Sequence, residues 1–312
     1  MSGNRILVVR GGAIGDFVLT LPVLAALRRQ FPQAHLEVLG YAPVAGLAVA
    51  GGLTDAARSI EARALAGFFA RRGSLAPELQ DYFAGFAIIL SYLYDPDGIF
   101  QENIARCSQA QFIAGPHRPD ESLGRHAAEV LLRPLERLAI FNADPVPRLT
   151  LLRTQPSGPE WAVHPGSGSD RKNWPEPRWE ELLARLVAGS DGMLLVVGGE
   201  AEQGRVERLC APLPGARVEM ANAWPLVELA GRLAGCAGFI GHDSGITHLA
   251  AALGLPALVL WGETSEEVWR PLGPRIRILH GGPGLDGIAV EQVLAEWETL
   301  RRTEPPETTR PR

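Results

Sequence analysis

Short apolar runs alternate along this chain with longer stretches in which apolar residues recur at helical spacing. "RILVVR" (residues 5–10) is rich in leucine and β-branched residues and ends in glycines, which predicts a buried strand. "FVLTLPVLAALRRQFP" then carries helical periodicity and stops at Pro32, and "HLEVLGY" predicts the next strand. Strand, glycine loop, helix and strand in about 35 residues make a βαβ unit and imply a parallel sheet. "FAIILSYL" predicts a further strand, and residues 103–113 and 121–138 predict helix.

A proline-rich stretch, "NADPVPRLTLLRTQPSGPE" (142–160), reads as a linker, after which the pattern starts again. "WAVHPGS" is a strand and loop, "PRWEELLARLVA" a helix, "GMLLVVGGE" a strand, and "AEQGRVERLCAPL" and "PLVELAGRLAGC" are helices. "AGFIGHDSG" runs from strand into loop, "ITHLAAALG" is helical, and "PALVLWG" reads as the closing strand. The expected organisation is an α/β chain of two doubly wound parallel-sheet halves facing a cleft. Its parts are a domain at 1–155, a second at 156–285, an amphipathic helix at 286–302 and a disordered tail at 303–312.

Composition narrows the class. With 46% hydrophobic and 21% charged residues the chain is globular, and a net charge of −5 argues against a nucleic-acid partner. The imbalance is regional: residues 1–155 carry 15 basic and 14 acidic groups, residues 156–312 carry 15 and 21. Cys107, Cys210 and Cys236 are too widely spaced for a disulfide framework or a zinc site, which fits a reducing cytoplasm. The N-terminus passes almost directly into the first strand without a signal-peptide layout. No apolar run reaches the roughly 18 residues of a membrane span, so contact with a membrane is expected to be peripheral at most.

Three loops sit where open α/β sheets bind ligands, between a strand's carboxyl end and a helix N-terminus. "RGGAIGD" (10–16) nearly spells a dinucleotide fingerprint, with Gly12 and Gly15 in place, Arg10 where the first glycine belongs, and Glu37 at the ribose-acid distance. Asp16 places a carboxylate where a pyrophosphate needs positive potential; it suits a general base, or it caps its own helix. "HPGSGSDRKNWP" offers Ser167, Gly168 and Ser169 and then Lys172, the single lysine among 30 Lys and Arg residues. A compact ammonium there fits a phosphate, although drift in an arginine-rich chain leaves the same trace. "GHDSGITHLAAALG" (241–254) opens a helix with Asp243, Ser244 and Gly245, and has Thr247 and His248 in its first turn, a place that favours a bound anion. Glu200 and Glu202 follow another strand and read as ribose ligands or as solvated helix-start acids. Trp224 reads as a base platform or as core.

Taken together, these blocks resemble glycosyltransferase family 9, the ADP-heptose:lipopolysaccharide heptosyltransferases. "ILVVRGGAIGDFVLTLPVLAALRRQFPQA" is similar to the family's N-terminal strand, GD loop and helix, and "HPGSGSDRKNWPEPRWEELLARL" to its lysine–tryptophan–proline segment. "FIGHDSGITHLAAALGLPALVLWGETSEEVWRPLG" is similar to its most specific block. The resemblance implies a GT-B fold of two Rossmann-like domains, with acceptor on the first and nucleotide sugar on the second, and a last helix packing back on the N-terminal domain. It implies Asp16 as catalytic base in an inverting transfer and Lys172 as the group that stabilises the departing ADP. Ser167, Ser169, Lys172, Ser244, Gly245 and His248 would hold the diphosphate, Glu202 the ribose, Trp224 the adenine and Asp243 the donor sugar. Gly12, Arg58, Arg63, Arg71 and Arg72 are candidates for the acceptor side. The implied partners are ADP-heptose or a related nucleotide sugar and a lipopolysaccharide core or similar glycan, met in the cytoplasm or at the inner-membrane surface. No metal or other cofactor is expected. Two other readings stand beside it, a non-catalytic nucleotide-sugar binding module and an NAD-dependent oxidoreductase.

Overall fold

The computed structural model describes residues 5–151, 161–169, 172–199, 202–282 and 284–302. The tail at 303–312, residues 152–160 of the linker and Glu200 lie outside the described residues. The chain divides into two units, Met1–Pro145 and Val146–Arg312, so the boundary falls inside the proline-rich stretch and earlier than the expected 155.

The first unit runs β1 (Arg5–Arg10), α1 (Ile14–Val18), α2 (Leu21–Gln30), β2 (His35–Gly40), α3 (Ala42–Ala50), β3 (Ala56–Ser59), α4 (Pro77–Ala84), β4 (Ile88–Ser91), α5 (Ile99–Ala105), β5 (Gln111–Ala114) and α6 (Ala127–Leu132). Its five strands are parallel in the order β3-β2-β1-β4-β5. Leu7, Val8 and Val9 of β1 are completely buried, as a central parallel strand covered on both faces requires. Strand order reverses between β1 and β4, which makes the loop after β1 a switch-point loop.

Three expectations change here. The helix predicted from Phe17 is divided at Leu19–Thr20, because Pro22 sits in the first turn of α2, where its missing N–H is harmless. Residues 103–113, predicted helical, end in β5, an edge strand with a single fully buried position and hence no apolar run to announce it. The helix predicted over 121–138 is reduced to α6 flanked by 3₁₀ turns at 121–123 and 133–138, where Gly124 and Pro134 interrupt it.

The second unit runs β6 (Trp161–His164), α7 (Glu176–Ala188), β7 (Leu194–Gly198), α8 (Gln203–Cys210), β8 (Val218–Asn222), α9 (Leu226–Leu233), β9 (Gly238–His242), α10 (Gly245–Ala252), β10 (Ala257–Trp261), α11 (Glu266–Trp269), β11 (Ile276–His280) and α12 (Val290–Arg302). All strands are parallel in the order β11-β10-β9-β6-β7-β8, with the reversal between β6 and β9. The edge strands β8 and β11 are only partly buried and carry polar residues, so their sequences did not predict them.

Helix α12 buries Val290, Val293, Trp297 and Leu300, one stripe of its surface, in the second unit's own core. Trp297 meets Trp161 of β6 edge to face at 5.5 Å. It lies directly over Gly238 of β9, where a Cβ would come 2.3 Å from the indole.

Candidate active site

In the first unit the turn after β1 is built around Asp16. Its Oδ2 accepts the Ala13 N–H at 3.0 Å, the carboxylate half of a capping box, so the capping role is real. Gly12, at φ +100°, is required by that carboxylate: a Cβ there would lie 2.8 Å from Oδ2. The other oxygen, Oδ1, faces the guanidinium of Arg10 at 3.6 Å, and the side chain remains 28% exposed, open to a reactant. Arg10 itself is buried, donates to the carbonyls of His117 (2.9 Å) and Asp16 (3.2 Å), and has its Nε without a partner. Arg10 stands where a dinucleotide fingerprint has its first glycine, and an arginine closing the apolar run Ile6–Val9 is the feature of the sequence that marks it.

Glu37, the expected ribose acid of a dinucleotide site, is not at a strand end. It pairs with Leu7 in mid-sheet, is buried, and accepts from Tyr82 Oη (2.7 Å) and Arg5 (3.3 Å). A side chain so engaged has no place for a ribose, which removes the nicotinamide fingerprint's acidic partner. Arg58, Arg63, Arg71 and Arg72 are all exposed on residues 58–72, the stretch that follows from the end of β3; Arg58 lies 4.0 Å over the Tyr82 ring and Arg71 pairs with Asp97.

In the second unit the candidate residues gather along the carboxyl edge of four neighbouring strands, β9-β6-β7-β8. Lys172, after β6, donates to Asp243, after β9, at 2.6 Å, so the lone lysine stands at the switch point. The lysine side chain is 41% exposed, whereas Asp243 is only 10% exposed, so the ammonium is the accessible half of the pair. Ser244 is the N-cap of α10: its Oγ accepts the Thr247 N–H at 3.3 Å and lies 3.2 Å from His164 Nδ1. Gly245 begins the helix and His248, buried, sits in its first turn. Glu202 takes the Gly199 N–H (3.0 Å) and the Gly168 N–H (3.2 Å), tying the loop after β7 to the loop after β6. It packs so closely on Gly166 that a Cβ there would be 2.3 Å from Glu202 Cγ. Ser167 donates to Asn173 Oδ1 at 2.7 Å, whereas Ser169 is exposed. Trp224 follows β8 and is half-buried.

A cleft of about 400 Å³ opens between these loops, lined by Gly168, Ser169, Asn173, Glu202, Gly204, Arg205 and Arg208. The two arginines were missed; their spacing after Glu202, one helical turn apart, was the readable clue. Arg208 makes a two-point bond to Glu176 (2.7 and 2.9 Å), and Arg205 donates to the Pro165 carbonyl. Among the described residues no group of three or more His, Cys, Asp or Glu is arranged to hold a metal.

Two buried histidines underlie the site. His242 is completely inaccessible: its Nε2 accepts the Trp174 N–H (2.9 Å) and its Nδ1 faces the Gly166 carbonyl (3.2 Å). Burial pushes His242 down to about 3 and His164 down to about 4, the latter partly offset by Glu202. Unfolded histidines titrate near 6.5, so below that pH the unfolded chain binds more protons and the folded second unit loses stability. We expect about 1–2 kcal/mol per histidine to be lost between pH 7 and pH 5. Denaturant titrations at the two pH values measure it, and an unchanged midpoint for the second unit would contradict neutral buried imidazoles.

Residues 144–284 match the family model for glycosyltransferase family 9 (heptosyltransferase). The lipopolysaccharide heptosyltransferase 1 of Pseudomonas aeruginosa is 36% identical over 135 residues, which are 42% of this chain and 33% of that protein; the chain's match thus spans about a third of this curated relative's length. Two solved structures share the fold: E. coli ADP-heptose lps heptosyltransferase II (TM-score 0.77, 18% identity, 95% of this chain and 98% of that one) and E. coli heptosyltransferase WaaC with ADP (TM-score 0.73, 20% identity, 95% and 99%). The two parallel-sheet units are those of a GT-B heptosyltransferase fold. The second unit, where the lone lysine meets the DSG loop, is thus similar to glycosyltransferase family 9, the heptosyltransferase family.

Proposed function

We propose that this protein is an inverting glycosyltransferase that moves heptose or a related sugar from an ADP-sugar to a lipopolysaccharide inner-core or similar glycan acceptor. The observation that carries the reading is the Lys172–Asp243 pair at the switch point beside the N-terminus of α10, with Glu202 on the adjoining loop. An ammonium and free helix N–H groups supply the positive potential a diphosphate needs. Relatives named as lipopolysaccharide heptosyltransferases and a fold neighbour solved with ADP support the choice of donor and acceptor.

In the proposed reaction an acceptor hydroxyl attacks the anomeric carbon as its bond to the diphosphate breaks. Asp16 takes the hydroxyl proton through its exposed carboxylate, and the bonding electron pair leaves with ADP. Lys172 and the backbone at Ser244–Gly245 meet the charge that grows on the diphosphate, preorganised donors of the kind that contribute several kcal/mol, with no metal needed for that task. Ser167, Ser169 and His248 complete the phosphate contacts, Glu202 bonds the ribose, Trp224 covers the adenine and Asp243 touches the transferred sugar. Gly12 and the arginines at 58, 63, 71 and 72 face the acceptor. Among the described residues no helix is long and apolar enough to cross a membrane; we place the reaction in the cytoplasm, with peripheral contact at the inner membrane.

Calorimetric titration of ADP, UDP and NAD into the wild type and Lys172→Ala tests this. Loss of charge-assisted bonds to phosphate is expected to weaken ADP about 10- to 100-fold. Some thermal stability should be lost as well, because the nearly buried Asp243 carboxylate is left without its cation, so ADP affinity is read well below the melting temperature of each variant. ADP affinity that survives intact without Lys172 removes the phosphate assignment, and a preference for NAD removes the transferase reading.

A further inference from the structure

His242 has no place among the groups assigned to the donor, yet it bonds Gly166 and Trp174, on either side of Ser167, Ser169 and Lys172. Its ring accepts from Trp174 N–H at Nε2 and reaches the Gly166 carbonyl at Nδ1, and Ser167, Ser169 and Lys172 lie between those two residues. The two bonds together admit one protonation state, a neutral imidazole with its hydrogen on Nδ1, since an imidazolium cannot accept at Nε2. The ring is fixed from the side by Trp179, edge to face at 5.3 Å, which packs in the same manner against Trp174. Trp174 is anchored again by its indole N–H to the Ile288 carbonyl at 3.0 Å. The His242 backbone is tied in turn to α10, because Thr247 Oγ1 donates to its carbonyl.

One rigid ring therefore joins the loop after β6 to the strand that leads into α10. We propose that His242 is a positioning residue for the diphosphate: it sets the 166–174 loop against the N-terminus of α10 so that Lys172 and the Ser244–Gly245 backbone converge on one phosphate group. This rests on the assignment of Lys172 to the diphosphate. An apolar residue at 242 leaves the Trp174 N–H and the Gly166 carbonyl without partners in a buried place. Glutamine places an acceptor near the Nε2 position and restores the Trp174 bond alone, and asparagine restores the Gly166 bond alone.

The test is a double-mutant cycle read with ADP and with adenosine, which lacks the phosphates. His242→Ala is expected to weaken ADP at least tenfold and adenosine less than twofold, with His242→Gln recovering part of the loss. In a Lys172→Ala background the same replacement should change ADP affinity less than twofold. Losses that multiply independently of Lys172, an equal loss for adenosine, or undiminished ADP binding would each overturn the positioning role. If Lys172→Ala binds ADP as the wild type does, it is the phosphate assignment that fails. If Lys172→Ala weakens ADP and His242→Ala does not, the assignment stands and the positioning role falls. Circular dichroism confirms folding of each variant; should His242→Ala not fold, His242→Gln carries the cycle under the same criteria, scaled to the one bond it loses.

Discussion

Asp16→Asn is expected to lower transfer about 100- to 10 000-fold while leaving ADP affinity unchanged, the effect typical of removing a positioned base. Asparagine has the size of aspartate, and its amide oxygen still accepts the Ala13 N–H that holds the turn. Gly12 still provides the space against it. What disappears is the negative charge, and with it both the ability to take a proton and the counter-charge facing buried Arg10. The same substitution at a residue that merely caps α1 and faces Arg10 would cost stability and nothing in rate, so the kinetic readout separates the two roles. Single-turnover transfer at saturating donor, alongside ADP titration, measures both quantities. Near-normal turnover would leave Asp16 as a cap and require another base.

Trp297→Ala is expected to destabilise the second unit by about 3–5 kcal/mol, a large part of a domain's total stability. The indole is 1% exposed, stands edge to face on Trp161, and fills space left by Gly238 in β9. No neighbour moves cheaply into the gap, because Trp161 is held by the sheet and by Arg301, whose guanidinium lies 4.5 Å over its ring. The indole nitrogen has no hydrogen-bond partner, so Trp297→Phe deletes an orphaned donor with the ring and should cost markedly less. Denaturant unfolding followed by near-ultraviolet circular dichroism checks the pair. A loss under about 1.5 kcal/mol for Trp297→Ala would mean that α12 is dispensable to that core.

The parts legible in the chain were those with strong local signals. β1, β2, β6, β7, β9 and β10 are near-continuous apolar runs because neighbouring strands and helices cover both faces. α7 has a clear apolar stripe, α10 is buried nearly all round, and both have recognisable starts. The elements missed or misread, β3, β5, β8 and β11, are the outermost strands of the two sheets, half-covered and mixed in composition. Their strand character comes from the neighbour they pair with, which local periodicity does not contain.

The candidate site divides along the same line. Residue type and position after a strand were enough to single out Asp16, Lys172, Glu202, Asp243 and Ser244, since ligand loops of parallel sheets follow strand carboxyl ends. Arg10, His164 and His242 escaped because each ends an apolar strand and reads as part of it. Glu37 erred the other way: its distance along the chain suited a ribose, while the sheet register turned it toward Tyr82 and Arg5.

By itself, then, the chain's pattern determined two parallel α/β units and which loops follow strand carboxyl ends, because apolar run length and helix-start residues are local properties. Only the tertiary structure decided that Lys172 meets Asp243, 71 positions away, that His242 bonds Gly166 and Trp174 on either side of that lysine, and that α12 closes the second unit's core. Those contacts follow from strand order, and the place where that order reverses is a property of the packed sheet as a whole.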